Sequence, residues 1–300
     1  MKIGLMLPLA EDEHGQAASW AELRARAEQA EGAGLDSIWV YDHLLHRFPG
    51  RPTVGFWEAW TMLSALAAAT RRVELGASVL CAGFRNPAVL AKMATTLDEV
   101  SGGRLILGLG AGWHEPEFDA FGLPFDHRVS RFEEALQIIA PLLRTGSVDV
   151  AGRFHRAADG EIRPRGPRPG GPPLLVAAFG PRMMRLTARY ADAWNSDWKQ
   201  SADLVVPMLE KLDEACADVG RDPATLVRTS SSNFAMDGYL GIRPDPITGD
   251  ADAMAGKLAK FRDLSLRHHV AGLDPCTPAS LGQFARVLEI LDKHDKEHAA

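Results

Sequence analysis

Asp42 and His43 stand side by side just after the apolar run Ser37-Ile-Trp-Val-Tyr41. A carboxylate next to an imidazole, where a strand gives way to a loop, is equipped for proton transfer near neutral pH, because histidine titrates around 6.5. His46 lies three residues further on and offers a second imidazole. The His-x-His that a hydrolase-type metal site places after the first strand is missing, so no metal is assigned. A plainer reading keeps Asp42 as a cap on the loop and leaves His43 in solvent. The residue types alone leave both readings open.

Two further segments invite chemistry. Gly108-Leu-Gly110-Ala-Gly112-Trp113 begins like a dinucleotide fingerprint, but its sixth position is Trp113 and no helix follows at once, so that reading is rejected. Glycines at a strand end instead let a flat group lie against the backbone. Ala177-Ala178-Phe179-Gly180-Pro181-Arg182 leads into a helix with proline in its first turn, and its free N–H groups suit an anion such as phosphate. An ordinary strand-to-helix loop explains it equally well. Cys81, Cys216 and Cys276 are far apart and form no Cys-x-x-Cys, so neither disulfides nor a cysteine zinc site is expected. Cys81 reads as a buried structural thiol.

The elements that must position these residues alternate along the chain. Apolar runs at 3–7, 37–41, 73–80, 105–109 and 174–178 read as strands, and the shorter or more polar segments 193–195, 227–231 and 268–272 continue the alternation. Helical patterns fill 19–33, 56–70, 87–100, 128–144, 182–190, 202–219, 251–264 and 279–293. Continuous apolar strands imply a parallel sheet covered on both faces. Eight such units predict a single α/β domain over residues 1–300, a (β/α)8 TIM barrel, whose chemistry sits where strands end. Residues 146–173 form the longest irregular stretch, an insertion near the barrel mouth.

Composition narrows the partners. Net charge is −6 and the pI is near 5.9, so no nucleic-acid partner is expected. The one basic run, Arg163-Pro-Arg165-Gly-Pro-Arg168, reads as a solvated loop. No apolar run reaches the ~18 residues of a membrane span. The N-terminal apolar run is too short for a secretory signal. A soluble, cytoplasmic protein is the expectation.

On these residues the chain resembles the bacterial luciferase-like flavin-dependent oxidoreductases, in their deazaflavin (coenzyme F420) branch. The resemblance runs from Met1 to about residue 200. It rests on Asp42-His43, Glu58-Ala-Trp60, Leu66-Ala-Ala-Ala-Thr70 and Leu75-Gly-Ala-Ser78-Val-Leu80. Arg85-Asn-Pro-Ala-Val-Leu-Ala91, Asp98-Glu-Val-Ser-Gly-Gly-Arg104 and Leu107-Gly-Leu-Gly-Ala-Gly112 extend it. Pro173-Leu-Leu-Val-Ala-Ala-Phe-Gly-Pro181 and Ala191-Asp-Ala-Trp-Asn195 complete it.

The resemblance implies hydride transfer between coenzyme F420 and a small organic substrate. The ring would lie across the strand ends, with Asp42 and His43 beside it and Asp42 steering the imidazole tautomer. Ser78 and Val79 would be joined by a non-prolyl cis bond against the ring. Gly110 and Gly112 would flank the ring, and Ala177, Ala178, Phe179 and Gly180 would hold phosphate. Members acting on sugar phosphates carry an acid where this chain has Trp113, so a carboxylate relay is not expected there. Trp113, Trp57 and Phe84 suggest an apolar substrate pocket, although Trp57 also suits a plain core. Two rivals share the barrel: an FMN-dependent monooxygenase using molecular oxygen and a reductase partner, and a non-catalytic flavin-binding barrel. The resemblance also implies a homodimer.

Overall fold

The computed structural model describes the backbone of residues 1–299 and side chains as far as residue 293. The chain opens with strand β1 (Lys2–Met6), helix α1 (Trp20–Gly32) and strand β2 (Ser37–Val40). Ser19 and Glu22 cap α1 reciprocally, as their spacing implies. A small hairpin follows, β3 (Leu45–His46) with β4 (Val54–Gly55), then α2 (Ala59–Ala69), β5 (Glu74–Ala77), β6 (Leu80–Cys81) and α3 (Pro87–Ser101). Next come β7 (Leu105–Gly110), the short α4 (Glu115–Ala120), α5 (Arg128–Arg144), β8 (Ser147–Ala151) and β9 (Arg156–Glu161). The last third contains β10 (Leu174–Ala177), α6 (Pro181–Tyr190), β11 (Ala193–Trp198), α7 (Val206–Asp218), β12 (Val227–Ala235), α8 (Ala251–Asp263), β13 (His268–Asp274) and α9 (Pro278–Ala299).

Eight of the strands form a closed parallel barrel in the order β10-β11-β12-β13-β1-β2-β5-β7, and β7 pairs back to β10 to seal it. The expected (β/α)8 barrel is therefore the observed fold. Alternation sorts the side chains between two cores. Met6, Trp39, Ile106, Leu175, Ala193 and Val270 fill the interior, and a larger core separates the strands from the helices. Trp39 fits inside because Gly76 and Gly4 face it; any side chain at either position would collide with its indole. No helix among the described residues is long and apolar enough to cross a membrane.

Three local readings are corrected. The third strand does not run unbroken over 73–80. It stops at Ala77, the Ser78–Val79 bond is cis, and the chain resumes as β6 against β7. The 146–173 stretch is not irregular throughout, because β8 and β9 pair as an antiparallel hairpin. Its turn is tied to α5 by the Glu134 carboxylate, which accepts the N–H groups of Arg153, Phe154 and His155 at 2.8 to 2.9 Å. The arginine run is not simply solvated either. Arg165 donates to the carbonyls of Leu143 and Arg144 at the C-terminus of α5. Arg168 forks onto the buried carboxylate of Asp98. Arg163 alone behaves as expected, exposed and paired with Glu161.

Candidate active site

The short loop after β2 carries His43 at the C-terminal end of the barrel, where chemistry gathers in this architecture. Its imidazole is 17% exposed, so a ligand can reach it. Nδ1 lies 3.1 Å from Oε1 of Glu117, on α4. The Glu117 side chain is 2% exposed and also accepts the Leu44 N–H at 2.9 Å. Burial pushes the Glu117 carboxyl upward, but the bonds from His43 and Leu44 outweigh it, and the group sits below the ordinary glutamate range. It is therefore an anion at neutral pH. An anion at Nδ1 keeps a proton on that nitrogen and leaves Nε2 to exchange protons with a ligand.

Aromatic rings enclose this pair. Ring centroids of His46, Phe56 and Trp113 lie 4.2, 5.4 and 5.6 Å from that of His43. Phe48 stacks on Trp113 at 6.4 Å. His114 accepts the Arg47 N–H through Nε2 at 2.9 Å. Burial, reinforced by the neighbouring His43 and His114, lowers His46 to about 4, so it is neutral. Its Nε2 is buried with no partner among the described residues.

Asp42 does not steer His43. Its Oδ2 accepts the Cys81 N–H at 2.9 Å and Arg85 Nη1 at 2.6 Å, and its Oδ1 accepts Arg85 Nη2 at 3.0 Å. Arg85 also pairs with Glu58. Burial disfavours the guanidinium charge, yet the two carboxylates win and raise its pKa. Asp42 is thus a buried anchor that fixes the chain beyond the cis bond. Burial also pushes the Cys81 thiol up to about 12, so it is no nucleophile.

The remaining expected residues divide. Val79 packs against the barrel interior. Gly110 makes room for it, since a Cβ there would meet Val79 Cγ2 at 2.6 Å. Gly112, with φ of +78°, faces Phe118 and Cys81 in the wall rather than the mouth. At the start of α6, Phe179 and Gly180 are exposed and no side chain caps the helix. The Ala178 side chain is buried in the outer core, and its carbonyl accepts the Trp194 indole N–H at 3.0 Å. Of the three expected pocket aromatics, only Trp113 reaches His43. Trp57 is exposed and donates to the Ala18 carbonyl, while Phe84 packs on Phe118.

Glu117 is the residue that reading the sequence missed. It lies four positions past Trp113 on a helix of six residues, too short to leave a periodic signal.

The closed barrel with a reachable imidazole held by a buried carboxylate at the C-terminal end of its strands has the layout of a barrel with a functional mouth. The chain belongs to the luciferase-like monooxygenase family, whose family model matches residues 1–267. Among curated relatives, a phthiodiolone/phenolphthiodiolone dimycocerosates ketoreductase from Mycobacterium sp. (strain JLS) is 37% identical over 64% of this chain and 55% of its own length. A 5,10-methylenetetrahydromethanopterin reductase from Archaeoglobus fulgidus is 28% identical over 72% of this chain and 60% of its own. The chain thus spans little more than half the length of these relatives. Two solved structures share the fold at a TM-score of 0.79 each. One is an F420-dependent secondary alcohol dehydrogenase with an F420-acetone adduct, 19% identical and covering 97% of this chain and 98% of its own. The other is a monooxygenase from Streptomyces bottropensis, 22% identical and covering 100% of both chains.

Proposed function

We propose that this protein is an F420-dependent oxidoreductase acting on a carbonyl or alcohol group of a small organic substrate. The observation that carries the reading is His43, reachable from the barrel mouth and held at Nδ1 by a buried carboxylate. The relatives that are reductases, and the solved barrel that holds an F420-acetone adduct, support it.

The residues suit such a group. The exposed indole of Trp113 offers a flat apolar face beside His43. The uncapped N-terminus of α6 offers N–H groups to a phosphate. Bound deazaflavin supplies the hydride chemistry, and the protein supplies position and proton handling. Glu117 fixes the imidazole. Nε2 of His43 then gives a proton to the substrate oxygen during reduction, or takes one during oxidation. Trp113 and Phe48 shield the pair from water.

An FMN-dependent monooxygenase is the second reading, favoured by the monooxygenase that shares the fold over its whole length. Equilibrium titrations of the apo-protein with F420 and with FMN test the choice. Micromolar binding of F420 supports the reading; micromolar binding of FMN with none of F420 replaces it by the monooxygenase.

A further inference from the structure

Arg243 carries a second feature of the barrel mouth. It lies in the loop after β12, and its side chain turns back over the strand ends. Nη1 donates to the Asn233 side-chain oxygen at 3.4 Å, and the guanidinium stands 5.7 Å above the centre of the Trp198 ring. Both contacts belong to the inner face. Thr229 and Ser231 meet Asn195 inside the barrel, so Asn233, on the same face of β12, points inward as well. Phe234 points the other way, into the outer core. Trp198 packs against the interior cluster.

The place for the guanidinium is built. A side chain at Gly272 would meet Nη1 at 2.8 Å, so the glycine makes room for the cation. The loop is pinned around it. Asp274 accepts the N–H groups of Ile242 and Arg243 at 2.9 Å each. Tyr239 donates to the Arg243 carbonyl at 2.8 Å, and the Asn233 amide donates to the Pro244 carbonyl at 3.1 Å. Asp274 spends its carboxylate on backbone and not on the guanidinium. Among the described residues no carboxylate pairs with this cation; its partners are an amide oxygen and an aromatic face. Fork-shaped donors held half-buried without an anion are ready to receive one.

We infer that Arg243 is an oxyanion-binding residue of the mouth, taking a carboxylate or phosphate group. The barrel order β12-β13-β1-β2 sets it two to three strands from the end that carries His43, about 10–14 Å along the rim. The anion therefore sits on a part of the ligand remote from the reacting atom. It belongs either to the substrate or to the side chain of the cofactor. The inference rests on the proposed use of the mouth, but the phosphate titration that decides it needs neither turnover nor bound cofactor, so its failure would leave that use standing; F420 enters only to separate the two sources of the anion.

Inorganic phosphate is titrated at constant ionic strength against chloride, following tryptophan fluorescence, with Trp198→Phe identifying the Trp198 signal. A saturable response is expected in the wild type, at least tenfold weaker in Arg243→Gln and partly restored in Arg243→Lys. Circular dichroism checks that each variant is folded, and Arg243→Lys against wild type gives the comparison if the glutamine variant is not. Repeating the titration with F420 bound separates the sources. Phosphate binding that persists assigns the anion to the substrate; displacement, with weaker F420 binding in Arg243→Gln, assigns it to the cofactor. No response in the wild type up to about 100 mM phosphate, or an equal one in Arg243→Gln, overturns the inference.

Discussion

The Glu117 carboxylate lies 3.1 Å from Nδ1 of His43, joining the loop after β2 to the helix after β7. Trp113 takes the position from which an acid was expected to be missing, and the acid returns one helical turn later. It approaches the imidazole from behind rather than the substrate directly. In the proposed relay only His43 would meet the ligand, with Glu117 acting through it.

Replacing His43 with Ala removes the only group of this pair that a ligand can reach. Turnover with F420 should fall by roughly a hundredfold or more, the usual scale for a lost general acid or base, while F420 affinity changes less. Single-turnover rates beside equilibrium binding check this. Full turnover by the variant would remove His43 from the chemistry and leave the cofactor question untouched.

Glu117→Gln keeps the shape and removes the charge. We expect kcat to fall about tenfold with cofactor affinity near that of wild type, because the variant loses orientation and not a contact with the ligand. The carboxyl also bears on stability. Its folded pKa lies below the ordinary 4.5, so its contribution is present above that pH and lost as pH falls through the folded value. Urea midpoints below pH 4.5 should therefore fall less steeply in Glu117→Gln than in wild type.

The barrel was legible because β1, β2, β7 and β10 are largely buried and read as apolar runs, while His43 stood just past the end of one of them. Strands β11, β12 and β13 carry polar residues such as Asn195, Thr229, Ser231 and His268 and gave a weaker pattern. The cis bond at Ser78–Val79 came from the resemblance, not from periodicity. Glu117 was invisible because α4 is too short for a pattern and its partner is 74 residues away. Asp42 misled for a related reason. Adjacency in sequence suggested a pair, but neighbouring residues diverge at a strand end, and the Asp42 carboxylate turned to Arg85 instead. The β8–β9 hairpin hid because its strands are polar and mostly solvent-facing.

The Arg85–Asp42 pair is expected to be structural. Arg85→Ala leaves the Asp42 carboxylate buried without its cation, which costs about 3–5 kcal/mol in comparable pairs. Denaturant unfolding should show a loss of that order. A change below about 1 kcal/mol would mean that water replaces the guanidinium or that the buried Asp42 carboxyl takes up a proton once its cation is gone.

Gly180→Asp separates stability from binding at the start of α6. Gly180 has φ of −85°, and a Cβ there meets nothing within 4 Å, so Asp fits without strain. As an N-cap it should hold or slightly raise stability, by a few tenths of a kcal/mol over glycine. Its charge would occupy the site offered to phosphate, so cofactor affinity should drop at least tenfold. An unchanged dissociation constant would place the phosphate elsewhere.

His269 gives an acid-sensitivity prediction remote from the mouth. Its ring lies in the outer layer, fully buried, with Nδ1 2.7 Å from the Ser230 hydroxyl and Phe261 packed against it. Nε2 has no partner among the described residues. Burial, with a small push from His268, lowers its pKa from 6.5 to about 3. Between those values the unfolded chain holds a proton that the folded protein does not, so stability falls as pH drops below 6.5 and levels off near 3. Substituting His269 with Phe removes that proton from the balance. Whatever the substitution costs at pH 7.5, the slope of unfolding free energy between pH 6 and 4 should flatten by up to about 1.4 kcal/mol per pH unit. Urea unfolding at four pH values measures both slopes. Parallel slopes would show that the buried ring already takes up a proton in the folded state, with Nε2 reaching an acceptor as the protein acidifies.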